Sequence, residues 1–192
     1  LCVIVIVIVM NINSLFEFIL NQQRPDSCCV TALSNDPSLD KAVEEVCLKL
    51  KNLTNADIAI VFISSNFASD YPRLLPLLKR KLKYKMLIGS SVKGVIGLNN
   101  NNSFNENVDV PSLSITLLNL QNSQIIPFHI PENTNIDMDN PGKVWKNCIK
   151  DINKINNGMN FCSAIMFVDP SMGKINELIS SFDFSFPKSN LI

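Results

Sequence analysis

Histidine and tryptophan occur once each in the 192 residues, and glycine only 6 times. With His129 alone, paired-histidine metal sites are excluded and any histidine-dependent catalysis rests on one side chain. An excess of charge of one sign is also missing. Lys+Arg and Asp+Glu number 17 each, so the formal net charge is zero. That balance excludes a strongly basic nucleic-acid binder and an acidic tail. Charged residues make up 18% and hydrophobic residues 46%, the proportions of a chain with a packed core rather than a disordered one. The length fits one domain comfortably, and no solenoid repeat is present.

Asparagine is abundant instead, with 25 residues and a run at 99–102. Together with plentiful Lys and Ile it reads as the mark of an AT-rich coding sequence, spread over the surface without chemical purpose. Six cysteines stand at 2, 28, 29, 47, 148 and 162. None forms C-x-x-C, and Cys28 and Cys29 would fall on opposite faces of a strand. The pattern is neither a zinc site nor a disulfide-dense scaffold, and it suits reduced, mostly buried thiols.

Residues 1–10, LCVIVIVIVM, are apolar throughout. The run is too short to span a bilayer, and it lacks the basic start and small-residue cleavage site of a signal peptide. A buried strand, a remnant of a signal segment and an artefact of gene prediction all fit it. The reading sets residues 1–25 outside the domain and makes 26–192 the domain, whose last residues, Asn190-Leu191-Ile192, resemble a strand cut short.

From residue 27 onward strands and helices alternate. Cys28–Leu33 reads as a buried strand, after which Asp36 is placed to cap a helix with Pro37 at its first position. Leu39, Val43, Val46 and Leu50 recur at helical spacing, with Lys41, Glu44, Glu45 and Lys49 outward. The run ADIAIVFIS at 56–64 carries almost no polar residue and predicts a strand buried on both faces. A second helix follows over Asp70–Leu82, with Leu74, Leu75, Leu78 and Leu82 inward and Pro76 either kinking it or delaying its start.

Lys85–Ser90 predicts a strand entering the turn Ser91-Val-Lys-Gly-Val-Ile-Gly, and 99–107 a solvated loop. Pro111–Leu120 and Gln124–Ile130 read as a hairpin turning at 121–123. In its first arm Leu113, Ile115 and Leu117 alternate with Ser112, Ser114 and Thr116, so one face is expected to be wet. A third helix is expected from Asn140-Pro141 through Ile155, a strand over Phe161–Val168 and a last helix over Met172–Phe182. The fold class is therefore α/β, a single domain with a mixed β-sheet and flanking helices.

In α/β folds ligands gather beyond the carboxyl ends of strands. Small polar residues mark three such ends: Ser64 and Ser65; Gly89, Ser90 and Ser91; and Asp169-Pro170-Ser171. Gly94 permits close approach of a ligand. Backbone N–H groups and hydroxyls at Ser64, Ser65, Gly89, Ser90, Ser91 and Gly94 suit a carboxylate, and Asp169 suits an ammonium group. The stretch G-S-S-V-K-G-V-I-G matches neither phosphate-binding spacing, and no G-x-S-x-G elbow occurs. No carboxylate cluster suggests a metal, and no cofactor is called for. Lys79, Arg80, Lys81, Lys83 and Lys85 read as a solvated helix face with cations at its C-terminus rather than a nucleic-acid patch.

The succession A-D-I-A-I-V-F-I-S-S (56–65), a Leu-rich helix and M-L-I-G-S-S-V-K-G-V-I-G (86–97) resembles the N-terminal part of the FIST domain, named for F-box and intracellular signal transduction. S-N-D-P-S-L-D-K-A-V-E-E-V (34–46) is similar to its first helix entry, and S-L-S-I-T-L-L-N-L (112–120) and F-V-D-P (167–170) follow in the same order. Where the family commonly has cysteine in the glycine turn, Ser90 stands here.

The resemblance implies a non-enzymatic sensory domain that binds a small polar ligand such as an amino acid. It implies no catalytic residues. The alternative is a protein-interaction adaptor tied to F-box and ubiquitin-ligase complexes without a small-molecule site, although no F-box is visible. A third reading, a hydrolase or transferase using Ser90 or Ser91, would need His129 beside them. Partners are thus a small molecule or a protein, with no nucleic acid and no membrane span, in an intracellular, cytoplasmic setting that the apolar N-terminus leaves open.

Overall fold

The computed structural model describes residues 2–10, 28–98, 103–120, 123–131, 145, 163–169, 171–187 and 189–192. In order they form β1 (Cys2–Met10), β2 (Cys28–Ser34), α1 (Leu39–Leu50), β3 (Ala56–Ser64), a 3-10 helix (Ser65–Asp70), α2 (Tyr71–Lys81), β4 (Tyr84–Val92), β5 (Gly94–Leu98), β6 (Phe104–Val108), β7 (Leu113–Asn119), β8 (Ser123–Pro131), β9 (Ser163–Val168), α3 (Ile175–Ser185) and β10 (Asn190–Leu191). The class is α/β with mixed sheets, as expected. The chain divides into two compact units, Pro25–Gln121 and Leu1–Arg24 with Asn122–Ile192. The expected helix over 140–155 lies outside the described residues apart from Trp145.

The first unit, Pro25–Gln121, is built on a sheet in the order β2-β7-β3-β4. β7 runs antiparallel to β2 and β3, while β3 and β4 are parallel. β3 is buried along nearly its whole length, which is why its sequence carries so few polar residues. The helices supply the apolar stripes that cover it. Leu39, Val43, Val46 and Leu50 of α1 are all buried, together with Ala42, and each of the four larger side chains contributes roughly 1.5–3 kcal/mol by leaving water.

The entry to α1 differs from the expected cap. The helix starts at Leu39 with Ser38 as N-cap, and Asp36 accepts the Ser38 N–H through Oδ1 at 2.8 Å in an Asx turn. Two of its outward residues are tied back to β2. Ser34 Oγ donates to Glu45 at 2.6 Å, and Lys49 Nζ donates to the Leu33 carbonyl at 3.0 Å. In α2 the inward set is Leu74, Leu77 and Leu78, and Leu75 is 47% exposed. The expected inward Leu75 is thus replaced by Leu77, which lies at i+3 from Leu74 and shares its stripe with Leu78, whereas Leu75 is turned about 100° away. Pro76 stands inside α2 rather than delaying it.

Three further expectations are corrected. The glycine turn is largely strand: β4 runs through Val92, only Lys93 interrupts, and β5 follows. The tail of the Asn-rich segment is β6, paired antiparallel with β5 so that Ile96 faces Glu106 and Leu98 faces Phe104. Ser112 and Ser114 are buried, not wet. A Cβ on Gly97 of β5 would stand 3.0 Å from Leu33 Cβ and 3.1 Å from Ser114 Oγ, so the β5–β6 ribbon lies close over that face of the sheet.

The second unit holds a sheet in the order β10-β9-β1-β8. The apolar run that the sequence sets outside the domain is strand β1, hydrogen-bonded antiparallel to β8 on one side and to β9 on the other. β7 and β8 belong to different sheets, so the expected hairpin is not formed. Strand β10 pairs parallel with β9. Trp145 is fully buried here, edge-on to Phe128 and Phe182 at centroid distances of 5.9 and 5.0 Å, and its indole N–H donates to Ser181 Oγ at 2.8 Å.

Candidate functional site

Parallel pairing of β3 with β4 sets Phe62 beside Ser90, Ile63 beside Ser91 and Ser64 beside Val92. Ser65 and Lys93, the next residues, therefore leave the sheet as neighbours at its carboxyl end. The loop between β6 and β7 closes on the same place. Asp109 donates its N–H to the Lys93 carbonyl at 3.5 Å, and its carboxylate stands 3.9 Å from Lys93 Nζ. Its own carbonyl accepts from Asn66 Nδ2 at 3.4 Å. Asp109 holds a left-handed φ of 58°, a conformation that Asp tolerates better than most residues.

The candidate residues divide by role. Ser64 is wholly buried and committed: its Oγ accepts the Ser112 N–H at 3.0 Å, its N–H donates to the Ser112 carbonyl at 2.9 Å, and its carbonyl accepts from Tyr71 Oη at 3.3 Å. It ties β3 to the start of β7. Gly89 is half-buried where β4 packs against β3. Ser65, Ser90, Ser91 and Gly94 are exposed, and Ser90 Oγ donates to the Ser91 carbonyl at 3.0 Å.

Asp169 belongs to the other unit. There it accepts the Ser171 hydroxyl at 2.6 Å and the Ser171 N–H at 2.9 Å, which hold its carboxyl below the usual carboxylate range. His129 is an exposed residue of β8 in that same unit.

Lys93, Asn66 and Asp109 escaped the sequence reading. Their signal was weak: an Asn in an Asn-rich chain, and a Lys and an Asp in loops. Together with Ser65 and Ser91 they offer an ammonium, a carboxamide and hydroxyls as donors, with one carboxylate as acceptor.

Elsewhere in this unit, burial pushes the Cys47 thiol up to about 11, against the opposing pull of Lys81. This is the inert thiol expected of a core cysteine. The cations Lys79, Arg80 and Lys81 are exposed in the last turn of α2, and Lys85 Nζ pairs with Asp57 at 2.7 Å. Among the described residues no group of His, Cys, Asp and Glu is arranged to hold a metal ion, and no helix is long and apolar enough to cross a membrane.

No curated protein and no solved structure matches the chain. The FIST N domain matches residues 57–192, from the second residue of β3 to the end, and leaves the helix entry at 34–46 outside the matched range. This match takes in more than two thirds of the chain, along with the β3–α2–β4–β5 succession that frames the Ser65–Lys93 corner, and the chain belongs to the FIST N domain family of signal-transduction sensory domains.

Proposed function

We propose that the chain is a non-enzymatic sensory module that binds a small polar ligand, of the amino-acid class, at the carboxyl ends of β3 and β4. The observation that carries this reading is the convergence of Ser65, Ser91 and Lys93 with Asp109 at that corner. A carboxylate would be received by the Lys93 ammonium, the two hydroxyls and backbone N–H groups near Gly94. The Asp109 carboxylate would accept from an ammonium group. Ser64 and Gly89 would serve as frame, and Asp169 is already engaged by Ser171. The loose 3.9 Å spacing between Lys93 and Asp109 suits a pair that a zwitterion can enter, since an exposed ion pair of this kind is worth only about 0–1 kcal/mol.

Amide chemical shifts recorded while amino acids are added one at a time test the proposal. Shifts from one compound should concentrate at Ser65, Ser91, Lys93 and Gly94. Perturbation by none, or only at residues far along the sheet, rejects it.

An adaptor in F-box or ubiquitin-ligase assemblies is the second reading. It draws on the exposed apolar residues Ile96, Phe104 and Val108 of the β5–β6 ribbon. Either role places the protein in the cytoplasm, where cysteines such as Cys47 stay reduced.

A further inference from the structure

We infer that the outer face and open edge of the β5–β6 ribbon bind an extended segment of a partner protein in which a lysine or arginine stands between two apolar residues. On β6 the usual alternation is inverted. Val95 and Gly97 face the sheet beneath, and Asn107 on the same side donates to Asn35 at 2.8 Å. The opposite face, which meets solvent, carries Ile96 at 66% exposure, Phe104 at 77% and Val108 at 50%, with Val110 at 42% just beyond. Register groups them, since Gly94 lies opposite Val108, Ile96 opposite Glu106 and Leu98 opposite Phe104. A half-covered antiparallel ribbon ordinarily keeps polar residues on its wet face.

Among the described residues strand β6 pairs with β5 alone, so its other edge presents unpaired backbone donors and acceptors to an incoming strand. At the middle of that edge stands Glu106, exposed and forming no ion pair among the described residues. The adjoining Lys93 is turned to Asp109.

This carboxylate decides the occupant. A second copy pairing β6 against β6 antiparallel, centred on Glu106, would set two carboxylates face to face. Centred on Asn105 or Asn107, it would set Glu106 against Phe104 or Val108. No such register supplies a cation, and like charges directly opposite are destabilising. A foreign strand with apolar side chains over Phe104 and Val108 and a cation over Glu106 satisfies the edge, the face and the charge together. The inference does not depend on the ligand reading.

The test uses the full chain and two labelled peptides of about seven residues, long enough to span β6. One carries apolar, Lys and apolar residues at alternate positions with threonine between; in the other Glu replaces Lys. The Lys peptide should bind, at concentrations up to about 1 mM, about tenfold tighter than the Glu peptide. Glu106→Lys should reverse that order, and Phe104→Ser should abolish binding with folding unchanged, since both side chains are exposed. Equal affinity of the two peptides overturns the inference. So does an order that Glu106→Lys leaves intact, no binding to a chain that still unfolds cooperatively, or a self-associated dimer that excludes the peptide.

Discussion

A Cβ placed on Gly89 would run into the carbonyl oxygen of Val61 and stand 3.0 Å from that residue's carbonyl carbon and Cβ. The closeness of β4 to β3 at this point therefore depends on a missing side chain, and the atoms in the way are backbone. Gly89→Ala should destabilise the domain by about 1–3 kcal/mol, toward the upper end because backbone yields less readily than a side chain. Gly94→Ala would meet Val108 Cγ2 at 3.4 Å and the Asn107 carbonyl oxygen at 3.7 Å, both ordinary contacts, and should lie within about 0.5 kcal/mol of the parent. Urea denaturation of the two variants separates a glycine needed for packing from one that packing does not require.

Asp57 joins three strands. Its Oδ1 meets Lys85 Nζ of β4 at 2.7 Å, and its Oδ2 accepts the Leu120 N–H at the end of β7, also at 2.7 Å. Burial pushes its carboxyl up, but the hydrogen bonds from Lys85 and Leu120 outweigh that push and hold it below its ordinary value. A carboxyl depressed in the folded state contributes stability that is complete above its unfolded value of about 3.9 and is lost as pH falls through the folded value. Asp57→Ala should cost about 1–3 kcal/mol at neutral pH, and less with falling pH below about 4. Lys85 is 76% exposed, so Lys85→Ala should cost less than about 1 kcal/mol. Stability measured from pH 7 down to about 2.5 checks both the sizes and the sign.

Tyr84 buries its hydroxyl with no hydrogen-bond partner among the described residues, and burial raises its phenol above the ordinary range. Tyr84→Phe removes the unpaired oxygen and keeps the ring. The variant should equal the parent or exceed it by up to about 1 kcal/mol in chemical denaturation.

The one tryptophan reports on a single unit. Trp145 is fully buried and donates to Ser181, so native emission should be blue-shifted and should move red on unfolding. Ser181→Ala leaves the indole N–H unpaired and should lower stability, followed by this emission, by about 1–3 kcal/mol.

Local pattern disclosed much of the fold. The runs at Cys28–Leu33 and Ala56–Ser64 and the stripe Leu39-Val43-Val46-Leu50 were legible because strand and helix periods are written in adjacent residues. What escaped depends on partners distant in sequence. Ser112 and Ser114 alternate with apolar residues like a wet face, yet Ser112 is bonded to Ser64 and Ser114 lies beneath Gly97. Leu77 rather than Leu75 joins Leu74 and Leu78 on the buried stripe of α2, a choice set by which face of the helix packs against the core. Strands β7 and β8 are adjacent in sequence but pair in different sheets, and β1 supplies the neighbour of β8.

The candidate site was legible in the same partial way. Small polar residues at strand ends pointed to the corner at Ser65 and Ser91. That Ser64 is spent on Ser112, and that Lys93, Asn66 and Asp109 come to the same place, follows only from the parallel register and the path of the β6–β7 loop.

Thermal unfolding of the full chain against a panel of amino acids and small carboxylates tests the central claim most directly, with a Ser91→Ala/Lys93→Ala variant run in parallel. Binding to the native state alone at a ligand concentration near 100 Kd adds about 2.7 kcal/mol, equivalent to a midpoint rise of about 5–10 °C for a chain of this size. The account predicts such a rise for one compound class and its loss in the variant. A cooperative transition that no compound moves, or a rise that the variant retains in full, contradicts it.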